Sequence, residues 1–433
     1  MKFLLLEFFY FLSSPGWAVE NGFVVLGSHH RSQGNIHTDP ITMLVVLALV
    51  SSLLPPSSVV SARSNAKALS SLSLNRRSVL LGAGSMAATA TALPPTAAFA
   101  ASDSELYFPE PNSLSGTTIM ITGANTGLGL ESAKRLAAAG ARIVVAARSK
   151  AKADAAVQEI AASTTAGSAV GVELDLADLA SVKSLPSRLD AALGGGSAAI
   201  DVLMNNAGVM AVPERLSTAD GFEKTVGINH LGHFALVAAL MPYLQRAKAG
   251  FRIINVSSDA HRFVDKKAIA AALKDRLDPN DYAAGGWGAY GLSKAANVLF
   301  TVELERRLLE SGAKGSAVTM HPGVVQTDLG RYIIGGVAAE DAHPTQDVEP
   351  PSGVGAFLKS NVLDRVILTV DKGANTQIYL AAAADTGGDR TRVGGLFFDK
   401  MKEVKATDAA SDPELAKELW RLSEELTGTK IAL

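Results

Sequence analysis

From Thr117 onward, short apolar runs alternate with longer stretches in which apolar positions recur every three or four residues. The runs "TTIMIT", "ARIVVAA", "AVGVELDL", "IDVLMNNAG", "FRIINVSS" and "SAVTMHPG" are rich in β-branched residues and nearly continuous in hydrophobicity. That pattern predicts strands buried on both faces. Between them, "ESAKRLAAAG", "KADAAVQEIAAS", "ADLASVKSLPSRL", "TVGINHLGHFALVAALMPYLQRA" and "SKAANVLFTVELERRLLESG" read as helices. Gly140 and Gly312 stand where helix C-caps belong. Strict alternation of the two kinds of element predicts a parallel sheet covered on both faces by right-handed crossovers.

The expected fold is therefore α/β: one doubly wound parallel sheet of Rossmann type, in a single domain from residue 111 to 433. Two stretches exceed what such a unit needs. They are Asp259 to Ala289 and Arg331 to Asp371, each following the carboxyl end of a strand, where ligands bind in these sheets. Residues 1–110 read differently. "MKFLLLEFFYFL", "MLVVLALVSSLL" and "SVLLGAGSMAATATALPPTAAFA" are apolar runs, each short of the ~20 apolar residues of a membrane-spanning helix. "SARSNAKALSSLSLNRRS" has transit-peptide composition, and Arg76-Arg77 with Ala98-Phe99-Ala100 resemble a twin-arginine signal and its cleavage site. The expectation is a disordered targeting region that delivers the protein to a plastid (chloroplast), to the stroma or the thylakoid lumen. A membrane-apposed tail is the plain alternative.

Composition narrows the chemistry. Forty basic residues against 42 acidic ones give a formal charge of −2, which offers nucleic acid no electrostatic footprint. The chain has no cysteine, so disulfides, thiolate catalysis and Cys-ligated metal are excluded. Its eight histidines form no metal-binding motif, and no metal is expected.

"ITGANTGLGLESAKRL" holds three glycines in seven residues ahead of a helix pattern. Gly123, Gly127 and Gly129 allow a sharp turn and close approach of a ligand, and a helix start favours an anion. A tight strand-to-helix turn with no ligand explains the glycines equally well. "GAYGLSKAANVLF" places Tyr290 and Lys294 on one helix face; a nearby ammonium lowers a phenol's pKa, although a surface pair has the same spacing. Ser257 and Ser258 end one strand, and Asn205, Asn206, Ala207 and Gly208 end another. Asn229 falls within an otherwise apolar helix, where a buried amide needs a partner.

Taken in order, "TGANTGLG", "NNAG", Asn229, Ser258, "YGLSK" and "HPGVVQTDL" resemble the short-chain dehydrogenase/reductase superfamily over residues 115–400. The resemblance implies that the turn Gly123, Asn125, Thr126, Gly127, Leu128 and Gly129 cradles a nicotinamide dinucleotide. Tyr290 would be the general acid/base. Lys294 would lower its pKa and hold the nicotinamide ribose, Ser258 would bond the reacting oxygen, and Asn229 would hold a relay water. Asp175 and Leu176 would flank adenine, Asn205, Ala207 and Gly208 would line the cleft, and Pro322, Gly323, Val325 and Thr327 would position the carboxamide. At the end of the second strand stands Ala147, followed by Arg148 and Lys150. With no carboxylate there, NADP(H) is the expected cofactor.

The long segment after Ser258, "SSDAHRF" and "HPGVVQTDLGRY" look like the branch containing retinol dehydrogenases and protochlorophyllide reductases. The pigment enzymes carry pocket cysteines that this chain lacks. An apolar carbonyl or alcohol, retinal-like or isoprenoid-like, is the expected substrate. Reduction of a pigment C=C bond, or an NADPH-binding regulatory subunit without activity, are the alternatives. "VGAFLKSNVLDRVILTV" reads as a substrate lid, a peripheral membrane contact or a packed helix, and oligomerisation is open.

Overall fold

Apolar residues alternate between the two faces of each central strand, and both faces are covered. Ile119, Ile121, Ile143, Val145, Val202, Met204, Ile254 and Val318 belong to one core. Met120, Val144, Leu203, Ile253 and Ala317 belong to the other. Each Ile, Val, Leu or Met side chain among them, removed from water, contributes about 1.5–3 kcal/mol. The computed structural model describes residues 17–20, 23–26, 106–195, 198–280, 282, 286–325, 368–382 and 394–433. They fall into two units. In the first, Trp17–Glu20 pairs antiparallel with Phe23–Leu26.

The second unit holds an eight-stranded sheet. Its elements run β1 (Thr118–Thr122), α1 (Gly127–Ala138), β2 (Arg142–Ala147), α2 (Lys150–Ser163), β3 (Ser168–Glu173), α3 (Leu179–Leu193) and β4 (Val202–Asn205). A short turn (Lys224–Val226) and a π turn (Gly227–Leu231) then lead into α4 (Gly232–Leu244). There follow β5 (Phe251–Val256), a 3₁₀ turn (Asp259–Phe263), α5 (Lys266–Lys274), α6 (Trp287–Ser311) and β6 (Gly315–His321). The last elements are α7 (Val370–Gly373), α8 (Asn375–Ala382), β7 (Phe397–Asp399), β8 (Lys402–Val404) and α9 (Pro413–Thr427).

The strand order is 8-7-6-5-4-1-2-3, parallel except for β8. The order reverses between β1 and β4, which opens a crevice at their carboxyl ends. The doubly wound expectation is met. Helix C-caps fall where anticipated: Gly312 takes φ 69° at the end of α6, and Gly140, just past α1, takes φ 96°.

β3 ends at Glu173, so Asp175 and Leu176 lie in the turn beyond it, after the third strand as expected. Asn229 sits in a π turn and not in a regular helix. The first extra stretch holds the 3₁₀ turn and α5, whereas most of Arg331–Asp371 lies outside the described residues. α9 closes the far side: Asp412 caps it, and the buried Trp420 packs edge-on against Phe234 at 5.3 Å. Arg307 lies 4.3 Å above the same indole.

Candidate active site

β1 runs straight into the glycine turn. Gly123 and Gly127 adopt φ 66° and 54°, a region open to glycine at low cost. A Cβ on Gly129 would stand 2.4 Å from the Gly123 carbonyl oxygen and 2.7 Å from Asn206 Nδ2. Side chains cap α2 and α3, from Ser149 and Asp178. At α1, the Thr126 side chain makes no such cap. The start of α1, with its positive dipole end, thus meets the cleft without a side-chain cap, an arrangement that favours an anion.

This turn floors a cleft of about 1080 Å³, solvent mouth included. Gly123, Asn125, Thr126, Gly127, Leu128 and Gly129 line it, with Arg148 at the end of β2, Asp175 and Leu176 after β3, and Ala207 and Gly208 after β4. A bare backbone at a helix start, one cationic wall and apolar flanks suit a dinucleotide. The fit is supported by Gly129, where a Cβ would strike the turn's own backbone, so that glycine lets α1 pack closely behind the cradle.

Asn205 is not a cleft residue. It is 2% exposed, and its amide donates to Asn255 Oδ1 at 2.8 Å inside the sheet. The period of two in a strand hands the cleft to its neighbour, Asn206, whose Nδ2 donates to Thr122 O at 2.8 Å. Pro322 and Gly323 follow β6, and Val325 pairs with Leu368, outside the cleft lining. Val325 nonetheless approaches it, because a Cβ on Gly373 would meet both Val325 Cγ2 at 2.5 Å and Leu128 Cδ2 at 2.9 Å. Thr327 lies outside the described residues.

Beside the cleft, four side chains converge from three elements. Tyr290 and Lys294, one turn apart on α6, are 4% and 3% exposed. Tyr290 hydrogen-bonds Ser258, which follows β5. Asn229 accepts from Val209 N–H at 2.9 Å and donates to Val209 O at 3.0 Å and Ser293 Oγ at 3.0 Å. A Cβ on Gly208 would stand 3.0 Å from Asn229 Oδ1 and 3.7 Å from Lys294 Nζ. The cleft wall, the amide and the ammonium therefore share one small volume. Ser257 is turned away, its hydroxyl donating to Lys294 O at 2.8 Å.

Among known proteins, residues 117–270 match the family model for short chain dehydrogenases. Retinol dehydrogenase 13 of Homo sapiens is 35% identical over 326 residues, spanning 74% of this chain and 87% of that protein. The WW domain-containing oxidoreductase of Pongo abelii is 36% identical over 318 residues, 72% of this chain and 68% of that one. The crystal structure of an uncharacterised protein from Mycobacterium Paratuberculosis superposes with a TM-score of 0.52 at 33% identity, over 75% of this chain and all of that one. The chain is a short-chain dehydrogenase/reductase. It belongs to the retinol dehydrogenase-like branch, and the family binds a nicotinamide cofactor.

In this short-chain dehydrogenase/reductase, burial is the largest influence on the phenol. Desolvation pushes Tyr290 up to about 12, and the group drawing it back down is Ser258. Lys294 Nζ donates to Val256 O at 3.0 Å and lies 5.6 Å from the tyrosine ring centre. Burial likewise brings Lys294 down to about 8. Sequence reasoning missed Thr122, Lys152 and Lys224, all of which line the cleft, and named Asn206 as a strand end without assigning it to the cofactor. Thr122 directly precedes the glycine turn, which was its signal; Lys224 gave none, being brought in by the turn before α4.

Proposed function

We propose that the protein is an NADPH-dependent reductase of apolar carbonyl compounds, with Tyr290 as the proton donor. When bound, the nicotinamide supplies a hydride to the carbonyl carbon. The remaining work falls to the chain. Ser258 holds the substrate oxygen, and the Tyr290 hydroxyl gives its proton to that oxygen as charge develops there. Burial favours the protonated phenol at Tyr290, the form that can give a proton to a carbonyl oxygen. Lys294, with its ammonium beside the cleft, would hold the ribose; Asn229 fixes the turn beside it.

The observation that carries this reading is that Asn229 and Lys294 meet at Gly208 on the cleft wall, while Tyr290, hydrogen-bonded to Ser258, lies with its ring centre 5.6 Å from Lys294 Nζ. A binding module without activity needs the cleft but no buried phenol beside it. For the cofactor, Arg148 and Lys152 line the cleft where a 2′-phosphate would lie. The neighbouring carboxylates are engaged elsewhere: Glu173 accepts from Lys150 N–H at 3.3 Å, and Asp154 pairs with Lys150. The similarity to retinol dehydrogenase 13 supports an apolar substrate, and all-trans-retinal is the first to test. The composition of residues 1–110 supports plastid import.

The test is a turnover assay with NADPH and NADH against retinal and shorter aldehydes, following the loss of reduced-nicotinamide absorbance. Turnover with NADPH preferred supports the proposal. NADPH binding without turnover of any carbonyl would reduce the protein to a binding subunit.

A further inference from the structure

Behind the cleft lies a histidine that the proposed mechanism does not use. His233, on the first turn of α4, is 2% exposed. Its Nε2 stands 2.9 Å from Thr122 Oγ1, and its Nδ1 stands 3.1 Å from Asn229 O. Thr122 Oγ1 also accepts from Asn206 N–H and Ala207 N–H, both at 2.9 Å. Those two donors occupy the hydroxyl's lone pairs. The hydroxyl proton then has two acceptors in reach, His233 Nε2 at 2.9 Å and Met204 O at 3.4 Å. The shorter contact takes it. Nε2 is thereby the acceptor, and the ring proton sits on Nδ1, donating to Asn229 O.

The contacts close a ring. It runs from Thr122 to Ala207, along the backbone through Gly208 to Val209, across to the Asn229 side chain, through Asn229 O to His233, and back to Thr122. One arc is cleft wall and the other is the π turn that carries Asn229. Within that turn the register has slipped, since Gly232 N–H reaches back to Gly227 O, and Asn229 O takes a side-chain donor. Burial holds the imidazole neutral, at about 4, so the ring keeps one tautomer across the working pH range.

We propose that His233 is a positioning residue: its imidazole locks the π turn to the cofactor turn, and so holds Asn229 in register with Gly208 and Lys294. The proposal rests on the roles assigned above to Tyr290, Lys294 and Asn229. An apolar side chain of similar size would fill the space but leave Thr122 and Asn229 O without this partner in a dry interior. A side chain that kept only one of the two contacts would separate their effects.

Three variants test this. In His233→Asn the amide nitrogen stands near the place of Nδ1 and keeps the donor to Asn229 O. In His233→Gln the amide reaches the place of Nε2 and keeps Thr122 alone. His233→Leu keeps neither. The first readout needs no substrate: residue-resolved amide exchange at Val209, whose N–H is bound by Asn229 Oδ1. The second is kcat and KM with NADPH and all-trans-retinal, with Tyr290→Phe assayed alongside and circular dichroism confirming folding.

His233→Leu is expected to speed Val209 exchange and lower kcat, each by about tenfold or more, with KM for NADPH moving by less than about threefold. His233→Asn and His233→Gln each keep one end of the bridge, and each should recover only part of both losses. Unchanged Val209 protection in His233→Leu, or three variants falling alike in kcat and KM, overturns the proposal. Full activity in Tyr290→Phe would instead overturn the catalytic reading, while Val209 exchange still decides the role of His233.

Discussion

Replacing Tyr290 by Phe removes one hydroxyl and leaves the ring. The ring packs edge-on to Trp287 at 5.9 Å, with Lys294 Nζ 5.6 Å from its centre. Phenylalanine keeps both contacts. What is lost is a neutral hydrogen bond with Ser258, so stability should fall by only about 0.5–1.5 kcal/mol. The cleft lining does not include Tyr290, and NADPH affinity should stay within about threefold, a change of roughly 0.7 kcal/mol. The rate should fall far more. A positioned general acid is worth about 100- to 10,000-fold, equivalent to about 2.7–5.4 kcal/mol of barrier. Ser258 is the other hydroxyl at this point, but it caps the following turn by accepting from Ala260 N–H at 3.2 Å, and its pKa is too high to replace the phenol. Measuring kcat for retinal reduction beside a fluorescence titration of NADPH separates the two effects. A variant retaining more than about a tenth of the wild-type rate, outside the range for such an acid, would show that Tyr290 does not deliver the proton. A parallel loss of NADPH binding would assign the residue to the cofactor.

Arg148→Ala should weaken NADPH binding by roughly tenfold to a hundredfold and NADH binding little, since one charge-assisted phosphate contact is removed; equal losses in paired titrations would mean Arg148 meets a part common to both. Gly129→Ala drives a methyl to 2.4 Å from a backbone oxygen, and overpacking of this kind costs about 1–3 kcal/mol. Its melting temperature and NADPH affinity should both drop, and normal binding would refute the cradle. Buried His230, His233 and His261 are lowered to about 3, 4 and 4, largely by desolvation. The unfolded chain therefore binds up to three more protons below pH ~6.5, so stability is present above that pH and is lost as pH falls. Denaturant unfolding at pH 5.5 should lie on the order of 4 kcal/mol below that at pH 7.5; a difference under about 1 kcal/mol would reject it.

Much of the cofactor site is local in sequence. A glycine turn, a strand end and a helix start are neighbours along the chain, so Gly123, Gly127 and Gly129 announce themselves before any folding. The same holds for Tyr290 and Lys294, which one helical turn must place on one face. Asn205 and Asn206 show the limit. They are adjacent and chemically identical, and only the position at which β4 ends decides which enters the cleft and which binds Asn255. β7 and β8, at three residues each, are too short for a period of two to register.

Hydrophobic periodicity and short-range spacing act within a few residues, and they suffice to specify the α/β alternation, the parallel sheet and the identity of the chemical groups. Tertiary structure decided how those groups behave. Lys294 and Tyr290 are four residues apart in any helix, yet the closed interior puts the ammonium on the Val256 carbonyl and burial raises the phenol. Asn229 is an amide in an apolar stretch until a π turn aims it at Val209. Thr122 and His233 are separated by 111 residues, and their contact exists only once β1 and α4 have packed, since desolvation and long-range hydrogen bonds are properties of the folded core.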